Sequence, residues 1–167
     1  MDVKFLDTTF RDGSQSLWAM GMRHGQIEAV AADMDRCGFE VIEVPGNAIH
    51  FKKMIRDLKE NPWDTMRMLA ANIPNTPKAC MGGGLNLNAF GSPTPPALGE
   101  LFWTHQVQIG ALNRVQLTGN TADQMKRVFP SLIPFLKGIG LHCALAISYS
   151  IPPRHTDELF AEQTRLA

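Results

Sequence analysis

Lys4-Phe5-Leu6-Asp7-Thr8-Thr9-Phe10-Arg11-Asp12-Gly13-Ser14-Gln15-Ser16 is the stretch on which the reading of the fold turns. It opens as a short strand, with Val3, Phe5 and Leu6 to bury. It then runs into two carboxylates, a guanidinium, an amide and several hydroxyls. In parallel α/β folds, chemistry collects where strands end in this way. Asp7 and Arg11 come together only if the strand stops and the chain turns back, and Gly13 makes such a turn easy. A surface loop closed by an internal ion pair is the plain alternative.

Working outward, Arg23–Gly38 reads as a helix, with Ile27, Val30, Ala31, Met34 and Cys37 on one face. Phe39–Val44 is a second strand before Pro45-Gly46. Phe51, Met54, Ile55 and Leu58 mark an amphipathic helix. Asn61-Pro62 caps and opens another, carrying Met66, Leu69 and Ala70. A third strand is expected over Pro77–Met81, followed by Gly82-Gly83-Gly84 and a long irregular loop over 82–96. Thr94-Pro95-Pro96 leads a helix that should bury Leu98, Leu101, Phe102 and Ile109. Arg114–Leu117 is the fourth strand. The capping-box spacing at Thr121–Gln124 opens a helix in which Pro130 and Pro134 should bend or interrupt the spiral. Leu141–Ile147 is the fifth strand, and Thr156 starts a last helix.

A strand–helix unit repeated five times implies a parallel sheet with right-handed crossovers. An open doubly wound sheet is complete with five strands, whereas a (β/α)8 TIM barrel needs eight in about 250 residues. Spacing leaves both open.

Bulk properties narrow the function. The 167 residues suffice for one core, and 16 basic residues balance 16 acidic ones. That balance gives no footprint for nucleic acid or an anionic membrane surface. No apolar run is long enough to span a bilayer, and the first residues lack signal-peptide character. Cys37, Cys80 and Cys143 fit neither a disulfide framework nor a zinc knuckle, so a reducing cytoplasm is expected. His50, His105 and His142 have no ligand spacing and read as packed or surface histidines. The glycine run could hold an anion on its amides, but room for a substrate is the preferred reading. Trp63 and Trp103 read as core or interface aromatics.

Asp-Thr-Thr-Phe-Arg-Asp-Gly-Ser-Gln-Ser-Leu at 7–17 resembles the opening of the pyruvate carboxyltransferase domains. These belong to a wider superfamily that includes 3-hydroxy-3-methylglutaryl-CoA lyase. Glu60-Asn61-Pro62-Trp63-Asp64, Ile73-Pro74-Asn75-Thr76-Pro77, and Ile147-Ser148-Tyr149-Ser150 with Pro153 and His155-Thr156 are similar to later family stretches. The resemblance implies an α/β TIM barrel, with residues 1–167 as its first five βα units and part of a longer protein. It implies a divalent-metal-dependent enzyme that makes or breaks a carbon–carbon bond beside a carbonyl through an enolate.

By the same resemblance Asp7 is the metal ligand, for Zn²⁺, Mn²⁺ or Mg²⁺. Arg11 faces the substrate enolate, Gln15 hydrogen-bonds the substrate carboxylate, and Asp12 orients Arg11. A keto or hydroxy acid, or an acyl-CoA, is the implied substrate, and a homo-oligomer such as a dimer the implied assembly.

Three strand ends depart from the family. Where it has Glu-Met-Trp-Gly-Gly-Ala-Thr-Phe-Asp, this chain has Glu43-Val44-Pro45-Gly46-Asn47-Ala48-Ile49-His50-Phe51. The arginine after the third strand and the aspartate after the fourth are missing at Cys80–Gly84 and Leu117–Asn120. These changes weigh against assuming pyruvate and carboxybiotin. Biotin-dependent carboxyl transfer is therefore the second reading, and a non-catalytic barrel subunit the third.

Overall fold

The computed structural model describes residues 3–82, 95–119, 122–147, 161 and 165. Strands β1 (Leu6–Asp7), β2 (Val41–Glu43), β3 (Lys78–Gly82), β4 (Arg114–Gly119) and β5 (His142–Ile147) form one parallel sheet in the order β1-β2-β3-β4-β5. A doubly wound sheet reverses its strand order at a switch point. Strictly sequential order winds one way only, as in the wall of a barrel, and removes the open-sheet alternative. In register, Asp7 lies beside Ile42, Glu43 beside Ala79, Gly82 beside Leu117 and Gly119 beside Ile147. The strands therefore end along one edge.

Helices α1 (Ser14–Trp18), α2 (His24–Asp35), α3 (Ala48–Lys53), α4 (Pro62–Asn72), α5 (Pro96–Gln108) and α6 (Ala122–Gly138) fill the connections. Wider π-type turns occupy Thr9–Gly13 and Met54–Leu58. The Asn61 side chain accepts from Trp63 N and Pro62 sits in the first turn of α4, as expected. Ile42, Val44, Cys80, Val115 and Leu117 join Ile27, Ala31, Met66, Leu69, Phe129 and Leu136 in a continuous core between sheet and helices. Alternation sends Glu43 to the opposite face of the sheet. Gly82 is required by packing: a Cβ there would lie 2.8 Å from the Trp103 ring. Trp103 is buried, and Trp63 packs edge-on against Phe51 and His105 and at a tilt against Phe102.

Several expectations are corrected. Val3, Phe5 and Leu6 are exposed, because β1 is an edge strand of the described sheet with β2 as its only partner. Val30 and Ile55 also face outward. On α5, Leu98 and Leu101 are exposed, and the buried face is Gly99, Trp103 and Gln106. The helix turns this face inward because the Trp103 ring fits against Gly82 and Gln106 meets a backbone carbonyl across the core. Pro130 and Pro134 do not interrupt α6, which runs unbroken from Ala122 to Gly138. Both prolines sit on its exposed side, while Phe129, Leu132, Ile133 and Leu136 hold the buried side in place. Most of the 82–96 loop, the Thr121 cap, the segment around Tyr149 and His155, and the Thr156 helix start lie outside the described residues.

The edge opposite the strand ends carries stabilising contacts. Lys78 is buried at the start of β3, and its ammonium donates to Ile73 O at 2.6 Å. Burial pushes its pKa down. Asp35 at the end of α2 accepts from the Asn75 and Thr76 amides, tying α2 to the entry of β3. Polar contacts at this end of a barrel wall serve folding rather than chemistry.

Candidate active site at the strand ends

After β1 the chain coils tightly about one carbonyl. Thr8 O accepts from Arg11 N at 3.2 Å, Asp12 N at 2.8 Å and Gly13 N at 3.0 Å. Asp7 holds the start of this coil: its Oδ2 accepts from Thr9 N at 2.9 Å and its Oδ1 from Thr9 Oγ1 at 2.7 Å. Gly13 adopts φ −57°, ψ −46°, ordinary right-handed helical geometry. The turn therefore needs no glycine freedom, contrary to the expectation from sequence.

The coil aims Arg11 inward. Phe10 is fully buried beside it and acts as the anchor. Arg11 itself is only 8% exposed. Its Nη2 donates to Glu43 Oε2 at 2.7 Å and its Nη1 to Asp12 Oδ1 at 2.8 Å. The structure thus pairs Arg11 with Asp12 and Glu43, and no Asp7–Arg11 ion pair is formed. Asp12 does contact Arg11, the geometry a supporting carboxylate needs. Gln15 is exposed on α1, just beyond the coil.

Glu43 is the main site residue that sequence reasoning missed. It lies at the end of β2, 2% exposed. Burial raises its pKa above the usual carboxylate range, against the hydrogen bond and charge of Arg11, while Asp12 and Asp7 push it further up. An acidic residue closing an apolar strand, Val41-Ile42-Glu43, was the available signal. Arg11 Nε and Glu43 Oε1 are buried with no hydrogen-bond partner among the described residues. Buried polar atoms are rarely left unmatched in a finished structure. This pair keeps donor and acceptor capacity at the strand ends, where a ligand can use it.

The expectation for His50 was a packed or surface histidine. It is buried, and it also touches the site: Nε2 lies 3.2 Å from Arg11 O and Nδ1 lies 2.8 Å from Asn47 Oδ1. Asn47 caps α3 by accepting from His50 N at 3.1 Å. Burial, opposed by the contact with the Arg11 carbonyl and reinforced by the Arg11 charge, lowers the His50 pKa to about 4. The ring is neutral at physiological pH.

Among the described residues no three His, Cys, Asp or Glu side chains converge as a metal site. Both Asp7 oxygens are engaged by Thr9. Asp12, half exposed, places Oδ1 on Arg11 and has no bond to Oδ2 among the described residues. Cys80 lies on β3 with its side chain in the core, and burial raises its thiol pKa strongly. That excludes a thiolate role. No described helix is long and apolar enough to cross a membrane.

No protein-family model matches the chain. It is 35% identical over 161 residues to a pyruvate carboxylase subunit of Methanocaldococcus jannaschii, an alignment covering 96% of this chain and 27% of that protein. It is 29% identical over 161 residues to the 2-oxoglutarate carboxylase large subunit of Hydrogenobacter thermophilus, covering 96% and 24%. The carboxyl transferase domain of Rhizobium etli pyruvate carboxylase, solved with pyruvate and biocytin, superposes with a TM-score of 0.82 at 21% identity. That superposition covers 99% of this chain and 29% of the domain's chain, and it shows the shared fold. The chain thus spans less than a third of the length of these relatives.

Proposed function

We propose, for a chain that belongs to the pyruvate carboxyltransferase domain family, that residues 1–167 supply the first five βα units of a carboxyl-transfer TIM barrel acting on a 2-oxo acid. The observation that carries this is Arg11: buried at the strand ends, clamped by Glu43 and Asp12, with Nε still without a partner among the described residues. A guanidinium fixed in a poorly hydrated site stabilises negative charge without having to reorganise first.

In the reaction so assigned, the carbon next to the carbonyl of the 2-oxo acid loses a proton and becomes the enolate carbon. Carboxybiotin, when bound, would supply the carboxyl group to that carbon and take up a proton on its nitrogen as its C–N bond is given up. Arg11 faces the enolate oxygen while Glu43 keeps the guanidinium from swinging away. Gln15, on the exposed side, is assigned to the substrate carboxylate. Biotin enters as a co-substrate on the strength of the relatives, against the weight of the changed strand ends.

The described residues do not form a cation site by themselves. The carboxylate we assign to a divalent metal is Asp12 in place of Asp7, because Asp12 has an oxygen without a partner among the described residues and Asp7 has none. An oxygen ligand of this kind suits Mg²⁺, Mn²⁺ or Zn²⁺, which would polarise a substrate carbonyl when bound.

The test uses the protein carrying the whole barrel. Decarboxylation of oxaloacetate with free biotin is compared for wild type and Arg11→Ala, with metal content measured for Asp12→Asn and Asp7→Asn. Arg11→Ala should lose about 10²-fold or more in kcat. Asp12→Asn should lose metal that Asp7→Asn retains. Full activity in Arg11→Ala would remove Arg11 from the chemistry, and an inactive wild type would leave the non-catalytic subunit as the better account.

A further inference from the structure

We propose that Asn47 and His50 are positioning residues that set where Arg11 stands, a device that replaces part of the family's second-strand loop. The inference rests on the assignment of Arg11 to the enolate. Its basis is a pair of coupled departures. Where the family has a glycine and a phenylalanine, this chain has Asn47 and His50, and the two side chains meet each other at 2.8 Å. One stands at the half-buried cap of α3 and the other is buried within that helix. Together they place the His50 ring against the backbone of Arg11.

The Arg11 carbonyl can only accept, so the contact from His50 requires the ring proton on Nε2. With the proton on Nε2, Nδ1 is an acceptor, so Asn47 hydrogen-bonds the ring only by turning its NH₂ group to Nδ1; with its oxygen on His50 N as the helix cap, it packs against the ring instead. Arg11 is then held from two directions by one connected segment. Glu43, at the end of β2, grips the guanidinium, and His50, seven residues on in α3, grips the main chain.

The loop between them is itself tied down. Gln106, fully buried on α5, donates Nε2 to Gly46 O at 3.0 Å. A Cβ at Gly46 would meet Gln106 Oε1 at 2.5 Å and Met66 Cε at 3.1 Å, so the loop has no slack on that side. The route from Gln106 to Gly46, Asn47, His50 and Arg11 is continuous. It acts on a chain that lacks the family's arginine after the third strand, so the placement of its buried site arginine matters more.

The test is made in the protein carrying the whole barrel, with oxaloacetate and free biotin as probe. His50→Phe keeps the volume and removes the contact to Arg11; His50→Gln restores an amide N–H at the same reach. His50→Phe should lower kcat about tenfold or more, as loss of an outer hydrogen-bond partner commonly does, with KM changed far less. His50→Gln should recover most of that loss. In the wild type, ¹⁵N NMR of the imidazole should show the proton on Nε2.

Unchanged kcat in His50→Phe, equal loss in the Phe and Gln variants, or a proton on Nδ1 would each overturn the proposal. Arg11→Ala separates the two levels. If it is inactive while His50→Phe is fully active, only the positioning role fails. If Arg11→Ala is itself active, the assignment of Arg11 fails first.

Discussion

Lowering the pH should destabilise this protein through His50, and the size of the effect follows from its surroundings. The ring titrates at 6.5 when unfolded and at about 4 in the fold. Burial is the first cause. The hydrogen bond to the Arg11 carbonyl works against it, and the Arg11 charge works with it. A folded pKa below the unfolded one means that the unfolded chain binds the proton first. His50 therefore contributes its full stability above about pH 6.5, and that contribution is lost as the pH falls towards 4. The loss amounts to roughly 1 kcal/mol at pH 5.5 and about 3 kcal/mol at pH 4.

Urea unfolding of wild type and His50→Phe, followed by tryptophan fluorescence at several pH values, isolates this part. Carboxylates titrate in both proteins and cancel in the difference. The wild type should lose stability relative to the variant between pH 6.5 and 4. The Cε1 proton of His50 provides a direct reading by NMR. A stability difference independent of pH, or a ring titrating at 6.5, would refute the reasoning.

Glu43→Ala removes the fully buried partner of Arg11 but leaves the half-exposed Asp12. Breaking a buried pair costs about 3–5 kcal/mol, and the lower end is expected here, read as a drop in thermal midpoint. Because burial raises the folded pKa of Glu43, wild-type stability from this group should be fully present below its unfolded value of 4.5 and decline as pH rises through the folded value; the variant should lack that slope. Gly13→Ala should be neutral or stabilising by up to about 1 kcal/mol, since the residue is already helical and a Cβ would lie 3.8 Å from its nearest neighbour. A maleimide should label exposed Cys37 in the native protein and reach Cys80 only on unfolding, as peptide mapping would show.

Strand and helix positions were legible because each depends on local chemistry: a β-branched run before Pro45-Gly46, a cap at Asn61-Pro62, turn residues at the joints. Which helix faces turn inward was less so. On α5 the hydrophobic spacing pointed to Leu98 and Leu101, yet Gly99, Trp103 and Gln106 are buried. Periodicity ranks residues by polarity and cannot see that a glutamine has a carbonyl to meet 60 positions away. Asp7 shows what the turn itself adds: the sequence places it at the head of the polar cluster, and the fold sets its oxygens on the amide and hydroxyl of Thr9.

By itself the sequence determined a wall of parallel strands ending in a cluster built around Arg11, because alternating elements and the polar stretch at 7–16 are properties of the chain in order. Only the tertiary structure decided what Arg11 answers to. Glu43 and His50 reach it from 32 and 39 positions further along. No spacing rule joins residues so far apart, and it is parallel strand pairing, with its fixed register and common edge, that brings them within hydrogen-bond distance.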